Sequence, residues 1–452
     1  MAVTALEIRH RAVLLDGHRF GAAGAYEKIA GVLRLAVDPA NPANRAITDL
    51  GLAPRNARGA VEASADFYLL QPVDPARGNR RLLLDVPNRG RKVALGMFNS
   101  TPRVPDPSTP EDFGNGFLMR HGYTVAWVGW QHDVPRQDGL MALTVPAARG
   151  ANGPISGPVR CLWRPNVRVE TLPLADRYHI PHPTADLDDP GARLTVCDHV
   201  GAPAVAVPRT AWRFPDASHI ALAGGFAPGK IYELVYRAVH PPLVGLGFAA
   251  VRDAAAWLRF ADAAQGNPSA GRLERAYAFG VSQSGRFLRH LLYLGLDEDE
   301  AGRPVFDAVV PHVAGARRGE FNHRFGQPSL NALAAVGSLF PFTDAEQTDP
   351  VTGERGALLG RLLARGRMPK IVTINTSAEY WRGDASLVHT DVEGRADVEP
   401  LAGTRVYLFA GTQHTPGALP PPDADPNTGG RGLQPFNVVD YAPLLRAALV
   451  NL

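Results

Sequence analysis

The stretch AYAFGVSQSGRFL, residues 276–288, is a hydrophobic run that breaks into glycine and serine and resumes with apolar residues at helical spacing. Ala276 to Gly280 has the continuous apolar character of a strand buried on both faces. Phe287, Leu288, Leu291 and Leu292 fall on one face of a following helix. Strand, sharp turn and helix together are the setting in which a serine is held out at a sheet edge as a nucleophile. Such a turn forces the serine backbone into a strained conformation, so residues two positions away must be small. Gly280 and Ser284 flank Ser282 at that distance. Ser284 is the rival, but its own flanks are Ser282 and Arg286, and arginine is not small. The helix that begins just after Ser282 directs backbone N–H groups at a reacting carbonyl, which suits a developing oxyanion.

Working outward, further strands recur with helical segments between them. RLLLDV (81–86) and YTVAWVG (123–129) precede the serine, and AVV (308–310), KIVTI (370–374) and RVYLFA (405–410) follow it. Strands alternating with helices predict an α/β architecture with a mostly parallel central sheet. Residues 1–78 read instead as a β-rich extension, with short apolar stretches separated by Gly, Pro and Asn. Residues 134–229 are irregular and rich in Pro and Gly, an insertion expected to lie over the site. The core is then 79–133 together with 230–452.

A serine nucleophile needs a base, and His414 stands four residues past the last expected strand in AGTQHTPG (410–417). A histidine in such a loop, at the C-terminal end of a strand, is where open α/β sheets carry functional side chains. The acid is expected on the loop after KIVTI, where Glu379 is the first carboxylate, with Asp384, Asp391 and Glu320 as alternatives. It would orient the imidazole and stabilise its cation. The expected oxyanion donors are the N–H groups of Gln283 and of Arg89, in the loop after the first core strand. A weaker reading draws a metal site from His179, His182 and Asp186.

The composition limits the alternatives. Lys and Arg number 47 against 44 Asp and Glu, a net charge of +3, and the arginines are scattered. No basic block follows a phosphate backbone, so nucleic acid is not expected as a partner. No apolar stretch has the length of a membrane span, and the charged start MAVTALEIRHRAVLLDGHRF does not read as an export signal. A cytoplasmic protein is expected. The two cysteines, Cys161 and Cys197, are too few for a zinc site, and no cofactor is expected.

The ordered segments FGAAGAYEKIAG (20–31), DPANPANRAITDLGLAPRNARGAVE (38–62), DVPNRGRK (85–92), GYTVAWVGWQHD (122–133), GLGFAAVRD (245–253), FGVSQSGRFLR (279–289), AEYW (378–381) and AGTQH (410–414) span most of the chain. In them the sequence resembles the large bacterial "alpha/beta hydrolase domain" family with an N-terminal β-rich extension. The Ser-x-x-Gly-Arg surroundings of Ser282 are also similar, more distantly, to those of glucuronoyl esterases. The resemblance implies an α/β-hydrolase fold and a carboxylic ester hydrolase, with Ser282, Glu379 and His414 at the triad positions. Hydrolysis of a small-molecule ester or lactone through an acyl-enzyme is the expectation. Acyl transfer or amide-bond chemistry at the same residues is the alternative within enzymes, and a non-catalytic binding protein on the same scaffold is the alternative outside them.

Overall fold

The computed structural model describes residues 2–102, 104–176, 179–330, 340–424 and 431–452. Three long strands open the chain: β1 (Val3–Val13), β2 (Tyr26–Val37) and β3 (Val61–Pro72). Then come β4 (Arg81–Asp85), α1 (Ala94–Phe98), α2 (Phe117–Arg120) and β5 (Thr124–Val128). A run of mostly shorter strands follows: β6 (Leu143–Thr144), β7 (Arg149–Gly150), β8 (Gly153–Pro154), β9 (Ser156–Trp163) and β10 (Val169–Pro173). It continues with β11 (Arg193–Cys197), β12 (Val205–Val207), β13 (Trp212–Asp216), β14 (His219–Phe226) and β15 (Ile231–Val239). Helices and strands then alternate through α3 (Leu246–Phe260), β16 (Arg275–Val281), α4 (Gln283–Leu294) and β17 (Ala308–His312). After the small ladder of β18 (Gln347–Thr348) and β19 (Arg355–Gly356) come α5 (Gly360–Ala364), β20 (Lys370–Thr376), α6 (Ser377–Arg382), β21 (Thr404–Phe409) and α7 (Ala442–Asn451).

Among the described residues one sheet runs in the order β1-β2-β3-β5-β4-β16-β17-β20-β21, with β6 beside β3. From β5 to β21 every neighbouring pair is parallel. The β-rich N-terminus is an antiparallel continuation of this sheet, joined where β3 pairs with β5. The fold is that of an α/β hydrolase. Among the described residues no helix is long and apolar enough to cross a membrane.

The strands are apolar without a break because both faces are covered. Leu82 and Leu84 of β4 enter one core with α3 and α4, whereas Leu83 between them enters the other with α1 and α7. Ala276 and Ala278 face the first core, and Tyr277 and Phe279 face the second, as the two-residue period of a strand requires.

Among the described residues β7 pairs with β8, and β9 to β15 build two small sheets, β10-β14-β13 and β12-β11-β15-β9. Trp163, Trp212, Phe214, Phe226 and Tyr236 form a core of their own between them. The unit does not end at residue 229 as its sequence suggested. β9 pairs along its whole length with Tyr232 to Val239 of β15, so the insertion continues through Val239. The pattern of β15 alternates buried and less buried side chains, which reads equally well as an edge of the core.

Asp85, at the C-terminal end of β4, holds the loop that leads to the site. It is fully buried, and its Oδ2 accepts from Val93 N at 2.8 Å, Ala94 N at 2.7 Å and Trp127 Nε1 at 2.5 Å. Burial raises its carboxyl to about 7, against the lowering effect of those hydrogen bonds and of Lys92. The folded chain therefore keeps a proton that the unfolded chain releases from the ordinary value of 3.8 upward. Native stability should fall as pH rises from about 4 to about 7, and level off above. Thermal melts of wild type and Asp85→Asn across this range test it. The stability difference should move in the variant's favour with rising pH, by on the order of a few kcal/mol. Parallel profiles would contradict a protonated Asp85.

Candidate active site

Ser282 sits between the last residue of β16 and the first of α4, with φ 58° and ψ −111°. A positive φ in a residue with a side chain costs about 1–3 kcal/mol and persists only where its surroundings hold it. Its N–H donates to His312 O at 2.8 Å, and its carbonyl accepts from Arg286 N at 2.9 Å. The turn admits no bulk around it. A Cβ at Gly280 would lie 2.5 Å from Ser284 O, and one at Gly285 would lie 2.8 Å from His312 O. Ser284 is turned inward, its hydroxyl donating to Pro87 O at 3.0 Å, whereas Ser282 stays partly exposed. The hydroxyl available to a ligand is therefore that of Ser282.

His414 follows β21 and brings both ring nitrogens to partners. Nε2 lies 2.9 Å from Ser282 Oγ, and Nδ1 lies 2.5 Å from Glu379 Oε1. Glu379 is on the first turn of α6, immediately after β20, and is 2% exposed. Its other oxygen, Oε2, accepts from Thr376 N at 2.9 Å and Thr376 Oγ1 at 2.5 Å. Burial works against the charge of Glu379, but the hydrogen bonds from His414 and Thr376 outweigh it and hold the carboxyl below its ordinary range. The carboxylate is thus the form that faces the imidazole.

A second chain steadies the histidine loop from below. Tyr441 OH donates to His414 O at 3.1 Å and lies 3.1 Å from His312 Nε2. His312 is fully buried, and burial lowers its pKa to about 3, so it stays neutral. No local pattern in the sequence marks Tyr441 or His312 for this role. Thr376 was also missed, although Thr376-x-x-Glu379 is a capping-box signature that the sequence carries openly.

The remaining candidates lie elsewhere. Asp384 is joined to Arg317 at 2.6 Å, Asp391 accepts from Arg395 N at 2.8 Å, and Glu320 accepts from Gln327 N at 3.0 Å. His182 Nε2 pairs with Gly326 O at 3.0 Å, and Asp186 caps its own turn by accepting from Asp188 N at 2.9 Å. Among the described residues no three His, Cys, Asp or Glu side chains gather to hold a metal ion, so His179, His182 and Asp186 form no such group. A groove of about 300 Å³ near Arg275, Asp307 and Lys370 lies at the opposite, N-terminal ends of β16, β17 and β20.

Of the two expected oxyanion donors, Gln283 N–H opens α4, where a helix offers no internal acceptor. Arg89 N–H is engaged, donating to Gln283 Oε1 at 3.1 Å, while Gln283 Nε2 donates to Pro328 O at 2.8 Å. The insertion reaches the same place, since Gln327 Nε2 donates to Arg160 O of β9 at 2.7 Å and Arg89 Nη2 donates to Ser329 O at 2.9 Å.

No curated protein matches the chain significantly. Among solved structures it is similar to Est1E from Butyrivibrio proteoclasticus, at 10% identity over 88% of this chain and 94% of that one, with a TM-score of 0.28. It is similar also to a glucuronoyl esterase from Solibacter usitatus, at 12% identity over 90% of this chain and 81% of that one, with a TM-score of 0.29. Residues 208–452 match the family described as "Alpha/beta hydrolase domain". That span is more than half of the 452 residues and contains β16, α4, β20, α6 and β21, and the chain belongs to the alpha/beta hydrolase domain family.

Proposed function

We propose that this hydrolase is a serine esterase that cleaves a carboxylic ester or lactone through an acyl-enzyme. The observation that carries the reading is the unbroken hydrogen-bonded chain from Ser282 Oγ through His414 to Glu379 and Thr376. Ser282 Oγ attacks the ester carbonyl while His414 Nε2 takes its proton. Glu379, ionised, holds Nδ1–H and stabilises the imidazolium as it forms. The negative charge on the carbonyl oxygen falls at the start of α4, where Gln283 N–H has no acceptor within the helix. Arg89 N–H joins it when the Gln283 side chain turns aside. His414 then returns its proton to the departing alkoxide, and water, activated by the same nitrogen, releases the acid.

A neutral imidazole is needed for the first step, and an ionised carboxylate is needed to hold it. The arrangement of Glu379 supports that pairing, because three hydrogen bonds converge on its two oxygens in a buried setting.

Two substitution series test the roles. Ser282→Ala should lower turnover of an aryl ester by at least about 10³-fold with an unchanged melting temperature. Ser284→Ala should cost much less, since its hydroxyl is turned to Pro87 O. The reverse order would move the nucleophile. Glu379→Gln should lower turnover by on the order of 10²–10⁴-fold. Asp384→Asn, Asp391→Asn and Glu320→Gln should each have a far smaller effect in the same assay. A Glu379→Gln enzyme of near-native turnover would remove Glu379 from the mechanism.

A further inference from the structure

Arg286 lies one turn after Ser282 on α4, joined to it by the first hydrogen bond of the helix. Helical side chains tilt toward the N-terminus, so the Arg286 side chain leans back over the turn that presents Ser282. It is 8% exposed. Among the described residues its guanidinium makes no hydrogen bond, ion pair or ring contact. The other deeply buried arginines each have at least one partner, although Arg289 Nε and Arg318 Nε are left without one. Arg252 is paired with Asp253 at 2.8 Å, and Arg289 donates to Ala316 O at 3.1 Å and Phe342 O at 2.5 Å.

The charged groups that act on Arg286 are all positive. Burial first, then Arg89, Arg317 and Arg382, lower its pKa to about 9. Arg317 has a carboxylate of its own in Asp384. Arg89 comes from the loop after β4, and Arg382 from α6, three residues beyond Glu379. These loops all leave the C-terminal edge of the sheet, where Ser282 stands. A largely buried guanidinium that still touches solvent, without a counter-ion and among like charges, gains when an anion supplies the missing bonds. A carboxylate meets its fork with two parallel hydrogen bonds. Arg89 and Arg382 raise the local positive potential and draw an anion in.

We propose that Arg286 is a binding residue for a carboxylate carried by the substrate, so that the preferred substrate is an ester bearing a second, free carboxylate, such as a dicarboxylic half-ester. The inference rests on the reading of Ser282 as nucleophile. Arg286 and Ser282 are about 6 Å apart along the helix axis, so the free carboxylate belongs a few bonds from the scissile carbonyl.

Two readouts test the proposal. In the first, glutarate and uncharged glutaramide are titrated into the Ser282→Ala protein by calorimetry. Glutarate should bind at least tenfold more tightly, Arg286→Gln in that background should weaken it by about ten- to a hundredfold, and Arg286→Lys should restore part of the loss. In the second, the ratio of kcat/KM for 4-nitrophenyl hydrogen glutarate to that for 4-nitrophenyl butyrate should exceed one, fall with added salt, and drop by a similar factor in Arg286→Gln. Should Arg286→Gln fail to fold, Arg382→Gln, on the exposed rim, should still lower glutarate affinity severalfold. Equal binding of glutarate and glutaramide, or glutarate affinity unchanged in a folded Arg286→Gln, overturns the proposal. Binding that depends on Arg286 with no turnover of either ester would uphold the anion site and remove the esterase reading instead.

Discussion

Ser282 occupies a backbone conformation that an L-residue seldom adopts, and much of the surrounding structure follows from holding it there. Its N–H is taken by His312 O, at the end of the neighbouring strand, so the turn is pinned to the sheet as well as to its own helix. The turn is closed so tightly that Gly280 and Gly285 have no room for a methyl group. The strain is borne by the two cores packed against β16, with Ala276 and Ala278 beneath α3 and α4 and Tyr277 and Phe279 on the opposite face. A less complete core would let the turn relax, and the hydroxyl would leave the line of His414.

The other two members of the chain are positioned by helix and loop chemistry rather than by the strands directly. Glu379 is aimed by a capping box. One oxygen satisfies the N–H and hydroxyl of Thr376, which leaves the other for His414. A helix start that would need a cap anyway thus orients the acid. His414 is on a loop, and Tyr441 at the start of α7 ties its carbonyl to the buried, neutral His312. Since His312 also holds the Ser282 N–H through its carbonyl, one residue of β17 braces both the serine and the histidine. This common brace explains why the side chain needs to be neutral. A charge there would sit in the core beneath the loop that carries His414.

The turn at Ser282, the alternation of core strands with helices and the pair Glu379 and His414 were legible because each is a local pattern. Small residues around a serine, apolar runs of strand length and the first polar residues after a strand are all read within a few positions. What escaped reading depends on distant partners. The insertion was cut short at residue 229 because β15 alternates like any half-buried strand, and only pairing with β9 assigns it. The engagement of Arg89 N–H by the Gln283 side chain links positions 194 residues apart and leaves no local trace. In the sequence Arg286 is a residue too large to flank a nucleophile and the last position of Ser-x-x-Gly-Arg, and neither marks it as a binding group. Its importance lies in partners it does not have, and that is a property of the folded chain alone.

The proposed mechanism requires Ser282 to carry the acyl group during turnover. Intact-mass spectrometry of the wild-type protein, quenched in acid during the first turnover of an activated aryl ester, tests this most directly when followed by fragmentation of the peptide spanning residues 279–289. A single added acyl mass should appear and fragment to Ser282, absent from Ser282→Ala and longer-lived in Glu379→Gln. An acyl mass on Ser284 or on any other residue, or rapid turnover in which Ser282→Ala keeps pace with wild type, would contradict it.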